Sequence, residues 1–114
     1  LAYFDPLTQL PNRAHLTHQL ERSLQRADRK RSLFAVLFLD LDGFKDINDT
    51  MGHDVGDQLL RAVAEKIRTG LRQCDFAARL GGDEFCILTD ELVDTRDAAT
   101  IAEKLLNQIH SSTS

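Results

Sequence analysis

The chain has 114 residues, a formal net charge of −4, 42% hydrophobic residues and 28% charged residues. This length suits one domain, and the composition is that of a folded globular protein rather than a collagen-like, coiled-coil or wholly disordered chain. The acidic balance also argues against a nucleic-acid partner, because such proteins need excess positive charge to neutralise phosphates.

The two cysteines, Cys74 and Cys86, form no CxxC pair and have no paired histidine. This pattern predicts reduced core thiols in a cytoplasmic protein, not a disulfide framework or a zinc site. The longest apolar run, residues 33–39, is far shorter than the roughly 20 residues of a membrane span. We therefore expect a cytoplasmic domain, whose parent protein could be anchored to a membrane only through other segments.

A proline-containing entry segment leads to Asn12, a predicted N-cap for a first helix. That helix carries a narrow apolar stripe of Leu16, Leu20 and Leu24. It ends in the basic residues 26–31, which suit a helix C-terminus and are predicted to be solvated. Residues 32–41 are apolar on both faces, which predicts a central strand covered on both sides.

A second helix is predicted from the wide apolar face between Leu59 and Leu71, with Gly70 near its end. Residues 44–57, broken by Gly52 and Gly56, are predicted to connect the strand to this helix.

Two short strands, residues 75–80 and 85–88, flank Gly81 to Glu84 and predict a β-hairpin. Asp94 is the predicted N-cap of a last helix. The order of elements predicts an α/β fold, specifically an α+β sandwich with helices packed on a mixed sheet. Three strands are few for three helices, so we expect the fold to be incomplete within this chain.

Two acidic pairs carry the chemistry that the sequence predicts. Asp40 and Asp42 end the first strand, where residues two apart point to the same side. Adjacent carboxylates repel one another unless a cation lies between them, and oxygen ligands suit Mg²⁺. The alternative is an ordinary solvated strand end.

The second acidic pair is Asp83 and Glu84, at the tip of the predicted hairpin. A plain polar turn is the alternative here. If the first strand pairs with the hairpin, Asp40 and Asp83 can meet at one metal, as in phosphoryl-transfer sites built from carboxylates.

Four ordered blocks carry a resemblance that covers nearly the whole chain. They are DPLTQLPNR at residues 5–13, FLDLDGFKDIND at 38–49, GHDVGD at 52–57 and RLGGDEF at 79–85. The chain resembles the GGDEF family of diguanylate cyclases, and this resemblance implies a nucleotide-cyclase-like fold. It also implies the condensation of two GTP molecules into cyclic di-GMP with release of pyrophosphate, in bacterial second-messenger signalling.

The resemblance implies a role for each matching residue. Asp40, the Leu41 carbonyl and Asp83 would hold Mg²⁺ or Mn²⁺. Asp83 would also help to deprotonate the attacking 3′-hydroxyl, with Glu84 beside the same metals. Asn48 and Asp57 would bind guanine, which fits the ability of an Asp to accept two N–H bonds from the guanine edge. The remaining substrate-binding positions near the phosphates are Phe44, Lys45, Gly81 and Gly82.

Arg72 and Asp75 match the RxxD form of the family's inhibitory site, which binds the product cyclic di-GMP. The family domain continues past the last helix predicted here with further strands and a helix. The resemblance therefore implies that residues 1–114 are a GGDEF domain lacking those elements. It also implies that activity of this segment alone is doubtful. Catalysis in the family needs two GTP-loaded domains facing each other, hence a homodimer. Fused sensory or EAL phosphodiesterase domains are expected in the parent protein, and a catalytically weak regulatory module that binds GTP or cyclic di-GMP is the alternative function.

Overall fold

The computed structural model describes residues 2–111, with side-chain surroundings for residues 2–109. Four helices pack on a three-stranded antiparallel sheet with the strand order β1-β3-β2. The elements are α1 (Arg13–Lys30), β1 (Leu33–Asp40), α2 (Phe44–Met51), α3 (His53–Gly70), β2 (Phe76–Gly81), β3 (Glu84–Leu92) and α4 (Thr95–Ser111). The predicted sandwich of helices on a sheet is confirmed.

The central strand β3 has helices on both of its faces. Ile87 belongs to the main apolar cluster, together with residues of α3 and α4 such as Leu60 and Leu105. Asp90 is three positions from Ile87 and so lies on the opposite face of the strand, where it accepts a hydrogen bond from Ser23 of α1. Cys86 is fully buried in this strand, and burial raises the pKa of its thiol, as expected for an unreactive core cysteine.

The sequence placed the strand at residues 32–41 in the centre of the sheet, covered on both sides, and this prediction is wrong for the described residues. Strand β1 pairs with β3 alone, and its Phe38 side chain is 74% exposed. An apolar run shows that a strand can be buried on both faces, but it does not say which strand lies next to it. The hairpin strand β3 takes the central position because it pairs along both of its edges.

The first helix begins as predicted, because the Asn12 side chain accepts a hydrogen bond from the His15 backbone N–H at 3.1 Å. Its apolar stripe is less important than expected, since Leu24 is 53% exposed and the buried residue of this helix is Ser23. The basic residues at its end are not all solvated. Arg26 forms a 2.7 Å ion pair with the buried carboxylate of Asp90.

Residues 44–57 are not the connection that the glycines predicted. They contain the whole of α2 and the start of α3, separated at Gly52, which has a φ of +92°. Gly56 lies inside α3 and is buried there. A helix as short as α2 shows too few turns for apolar periodicity to be visible in the sequence.

The predicted ends of the later helices are confirmed. Helix α3 ends at Gly70. Asp94 precedes α4 and accepts a hydrogen bond from the Arg96 backbone N–H at 2.9 Å, as an N-cap does. Within residues 2–111 no helix combines the length and apolar character that crossing a membrane requires.

Candidate active site

Two glycines shape the turn at the hairpin tip, where the second acidic pair lies. β2 and β3 are joined through Gly82 and Asp83, with Gly81 paired to Glu84. Gly81 and Gly82 have φ values of +144° and +50°, in the region that favours glycine over residues with a Cβ atom. The predicted hairpin is therefore confirmed, and Asp83 lies at its end.

The pairing of β1 with β3 brings the two acidic pairs together. Asp40 lies directly opposite Glu84 in the antiparallel register. A cleft of about 580 Å³ opens at this end of the sheet. Its lining is Asp40, Leu41, Asp42, Gly43, Phe44, Lys45, Asp46, Asp83 and Glu84.

One part of the reasoning that predicted this cleft is wrong. Strand β1 ends at Asp40, and Asp42 lies in the turn that follows, so these two residues are not on one face of a strand. Both line the cleft because the chain turns there into α2.

The cleft has more negative charge than its own residues balance. Five carboxylates and one ammonium group, that of Lys45, line it. Within the described part of the chain, none of these carboxylates has a hydrogen bond or ion pair from another side chain. Carboxylates left together without a cationic partner repel one another, and a bound cation would relieve this repulsion.

Residues 2–111 contain no group of three or more His, Cys, Asp or Glu side chains arranged to hold a metal ion. This is compatible with Mg²⁺, which usually takes one or two protein carboxylates and completes its shell with water and substrate phosphates. The Leu41 carbonyl accepts a 3.3 Å hydrogen bond from the Phe44 backbone N–H and keeps a second lone pair. The donor set therefore fits a divalent ion that is shared with a phosphate ligand.

The sequence predicted that Phe44 and Lys45 lie in a connecting segment. In the structure they are the first two residues of α2. Both line the cleft. Gly43 precedes them with a φ of +75°, at the N-cap position, and no side chain caps the helix there. The backbone N–H groups of Lys45 and Asp46 are thus open at the edge of the cleft, while that of Phe44 donates to Leu41. Open N–H groups at a helix N-terminus favour negative charge.

The two predicted guanine-binding residues lie apart from this lining. Asn48 is near the end of α2 and Asp57 is in the first turns of α3, both half-buried. Neither borders the 580 Å³ cleft. The packing of α2 against α3 instead places the Asn48 side chain against Gly56, the residue before Asp57.

Asp5 and Arg79 support the hairpin turn, and the sequence assigned neither a role. The Arg79 guanidinium donates to the Gly82 carbonyl at 2.8 and 3.1 Å and forms a 2.9 Å ion pair with Asp5. Asp5 also accepts hydrogen bonds from the backbone N–H and hydroxyl of Thr8. Both residues belong to the motif blocks, so a charge pair between the blocks was the signal that could have revealed them.

The predicted inhibitory pair forms a closed contact in the structure. Arg72 donates from Nη2 to Asp75 Oδ1 at 2.9 Å and from Nε to Oδ2 at 3.1 Å, and its backbone N–H also reaches Oδ2. The Asp75 side chain is only 1% exposed, whereas that of Arg72 is 43% exposed. The hydrogen bonds to Asp75 raise the pKa of Arg72. Burial of the guanidinium lowers this pKa, but the negative charge of Asp75 raises it further.

A family model described as the diguanylate cyclase GGDEF domain matches residues 2–114. The chain belongs to the GGDEF family. It is 55% identical over 109 residues to the bifunctional diguanylate cyclase/cyclic di-GMP phosphodiesterase MucR of Pseudomonas aeruginosa, covering 96% of this chain and 16% of MucR. It is 48% identical over 105 residues to the diguanylate cyclase TpbB of the same organism, covering 92% of this chain and 24% of TpbB.

Solved GGDEF domains have the same fold. The isolated GGDEF domain of TpbB superposes with a TM-score of 0.89 at 47% identity, covering 92% of this chain and 61% of that one. The GGDEF domain of DgcB from Caulobacter crescentus, solved with c-di-GMP, gives 0.85 at 36% identity, covering 92% and 61%. This chain thus spans a quarter or less of the length of these curated relatives and under two thirds of the length of these solved chains.

Proposed function

We propose that this domain condenses two GTP molecules into cyclic di-GMP. In each half-reaction the 3′-oxygen of one GTP attacks the α-phosphorus of the other. A new phosphodiester bond forms, the bond to the β-phosphate breaks, and pyrophosphate leaves. The observation that carries the proposal is the register that sets Asp40 opposite Glu84, with Asp83 beside them in a cleft of unpaired carboxylates.

In this proposal Asp40, the Leu41 carbonyl and Asp83 hold Mg²⁺ or Mn²⁺. When bound, such an ion stabilises the charge that develops on the α-phosphate and lowers the pKa of a coordinated hydroxyl. Asp83 also helps to deprotonate the attacking 3′-hydroxyl, since within the described residues no side chain pairs with its carboxylate. Glu84, one residue away, adds negative charge that favours the metal.

The remaining residues position the nucleotide. Asn48 and Asp57 recognise guanine, and adenine cannot donate the pair of N–H bonds that an Asp accepts. Lys45 and the open backbone N–H groups of Lys45 and Asp46 contact phosphate oxygens, as helix N-termini commonly do, and Phe44 lines the cleft beside them. Gly81 and Gly82 allow the backbone to approach the substrate closely.

Because one domain supplies one nucleotide, the proposed reaction needs two domains facing each other in a homodimer.

The exposed outer edge of β1 supports a further part of the proposal, that additional strands of the family domain pair there. Phe38 and Leu106 are exposed on either side of an apolar cleft between β1 and α4, and such an edge is rarely left open. We also propose that the domain acts in the cytoplasm, where GTP is available.

The deciding experiment is an assay of the full-length protein with GTP and Mg²⁺. We expect two pyrophosphates for each cyclic di-GMP formed, and Asp83→Ala should reduce the rate by at least 100-fold without unfolding the protein. Asp28→Ala, on the exposed face of α1, is the matched control and should keep the wild-type rate. An Asp83→Ala rate above one tenth of the wild-type rate would rule out the assigned role.

A regulatory module that binds GTP or cyclic di-GMP is the second candidate. MucR, at 55% identity, is named as both a cyclase and a phosphodiesterase, so this type of domain occurs beside a phosphodiesterase. The half-exposed guanidinium of Arg72, held by Asp75, could contact a phosphate of the product. Saturable GTP binding without turnover, in the same assay, would favour this candidate.

A further inference from the structure

The packing of Gly56 against Asn48 leaves no room for a side chain. A Cβ atom built on Gly56 would lie 1.9 Å from Oδ1 of Asn48 and 2.9 Å from its Cγ. Gly56 is buried in the first turns of α3, and its φ is not positive, so the backbone there does not need glycine. The structural reason for glycine at this position is the approach of Asn48.

Asn48 is held in place by its backbone and by this contact. Its carbonyl accepts a 3.0 Å hydrogen bond from the N–H of Gly52, which closes α2. Within the described residues, no hydrogen bond is made by its side-chain amide. Packing against Gly56 therefore sets the position of the amide, and no hydrogen bond within the described residues competes with a ligand for it.

We propose that Gly56 is a positioning residue for guanine recognition. The absence of a side chain at Gly56 lets the Asn48 amide pack closely against α3 at the residue that precedes Asp57. This inference rests on the proposed function only for the identity of the ligand, because the contact itself is a feature of the fold. The sequence pattern predicted only that Gly56 interrupts the connecting segment, whereas this proposal assigns it a role in binding.

Gly56→Ala should fold. The overlap falls on the end of the Asn48 side chain, which can rotate away, and alanine is the better helix former by about 1 kcal/mol in a helix interior. The rotation would carry the amide away from the base while leaving the acidic cleft unchanged. The expected defect is therefore in nucleotide binding and base selection, not in the chemical step.

The experiment measures GTP and ATP binding by calorimetry, and cyclic di-GMP synthesis, in the full-length protein. We expect Gly56→Ala to weaken GTP binding and raise KM about tenfold, to reduce the preference for GTP over ATP, and to keep kcat within about twofold. The control is Gly70→Ala at the other end of α3, where the new Cβ also meets a side chain, Gln108 Oε1 at 2.6 Å. It should leave binding unchanged.

A double-mutant cycle with Asn48→Ala separates positioning from general damage. With the amide removed, Gly56→Ala should cause no further loss of GTP binding. Equal loss in both backgrounds, or unchanged binding in the single variant, would overturn the proposal. A wild-type protein that binds GTP without making product would refute the cyclase activity alone, whereas one that does not bind GTP would refute both.

Discussion

Two groups of aspartates in this small domain have opposite surroundings. Asp40 and Asp83 line an open cleft, and neither carboxylate has a partner in the described part of the chain. Asp75 and Asp90 have side chains that are each only 1% exposed, and each is held by an arginine. The same residue type is thus placed for binding at one end of the sheet and for structure at the other.

The buried group forms one connected network. Asp90 accepts from Ser23 at 3.0 Å and from Arg26 at 2.7 Å, and its backbone carbonyl accepts from Arg72 at 3.0 Å. Arg72 in turn holds Asp75. The network joins α1, the end of β3 and the turn before β2, so these carboxylates stabilise the fold.

The comparison teaches that unsatisfied carboxylates, rather than carboxylates as such, mark the candidate catalytic region. Burying a charge is costly unless it is paired, so a folded domain normally satisfies such groups. Leaving several together and unpaired costs stability through repulsion, which a bound cation relieves. The two groups should therefore respond in opposite ways to substitution.

The largest expected effect is that of Asp40→Asn on activity. Removing the carboxylate that we propose to hold the metal should reduce cyclic di-GMP synthesis by the full-length protein at least 100-fold, because such an ion contributes several kcal/mol to the transition state. The free energy of unfolding should stay the same or rise slightly, since like charges in the cleft are reduced. Steady-state kinetics and urea unfolding check both parts. A destabilised variant would mean that Asp40 belongs with the structural group.

Arg26→Ala should show the reverse pattern. It leaves the buried carboxylate of Asp90 without its cation, which typically costs about 3–5 kcal/mol. We expect a loss near the lower limit, because the Arg26 side chain is 28% exposed and Ser23 still donates to Asp90. Urea unfolding measures it. Cyclic di-GMP synthesis per folded molecule should change less than twofold.

Lys30→Ala is the matched control for this stability prediction. Lys30 is also a cation near the end of α1, and it lies 3.9 Å from Glu91, but both side chains are about half exposed or more. Exposed pairs of this kind contribute at most about 1 kcal/mol. A loss for Arg26→Ala no larger than that of the control would show that the buried network is not a stabilising element.

The sequence predicted every element except α2, and it predicted the acidic residues that line the cleft, because these depend on local patterns. Apolar periodicity located α3 and α4, and the glycine pair located the hairpin. The motif blocks then named Asp40 and Asp83 before any pairing of strands was known. The GGDEF fold and family were likewise predicted from these blocks.

The features that the sequence did not predict depend on contacts between distant residues. The ion pair of Arg26 with Asp90 joins residues 64 positions apart, and a basic run looks solvated when its partner is unknown. The edge position of β1 depends on which strand pairs with it. The close approach of Asn48 to Gly56 depends on the packing of α2 against α3, and the sequence did not predict α2 as a helix.

The smallest expected effect concerns Asp5, a paired carboxylate that holds Arg79 at the hairpin turn. Burial alone would raise the pKa of Asp5, but hydrogen bonds from Thr8 and the charge of Arg79 outweigh it and hold the pKa below its ordinary value. The folded protein therefore keeps this carboxyl ionised at pH values where the unfolded chain, with a pKa of about 3.9, is protonated. Its contribution is fully present above that value and is lost as the pH falls through the folded-state pKa.

Asp5→Asn should accordingly flatten the acid side of the stability profile. Below about pH 4 the wild-type free energy of unfolding should fall more steeply with decreasing pH than that of the variant, although the variant is less stable at pH 7. Urea unfolding at a series of pH values gives both slopes. Asp28→Asn, at an exposed residue of α1 for which the structure gives no hydrogen bond or ion pair, should keep the wild-type slope. If the free energy of unfolding changes with pH in the same way for wild type and Asp5→Asn, then Asp5 behaves like the unpaired carboxylates of the cleft. Its ion pair with Arg79 would then not stabilise the hairpin turn.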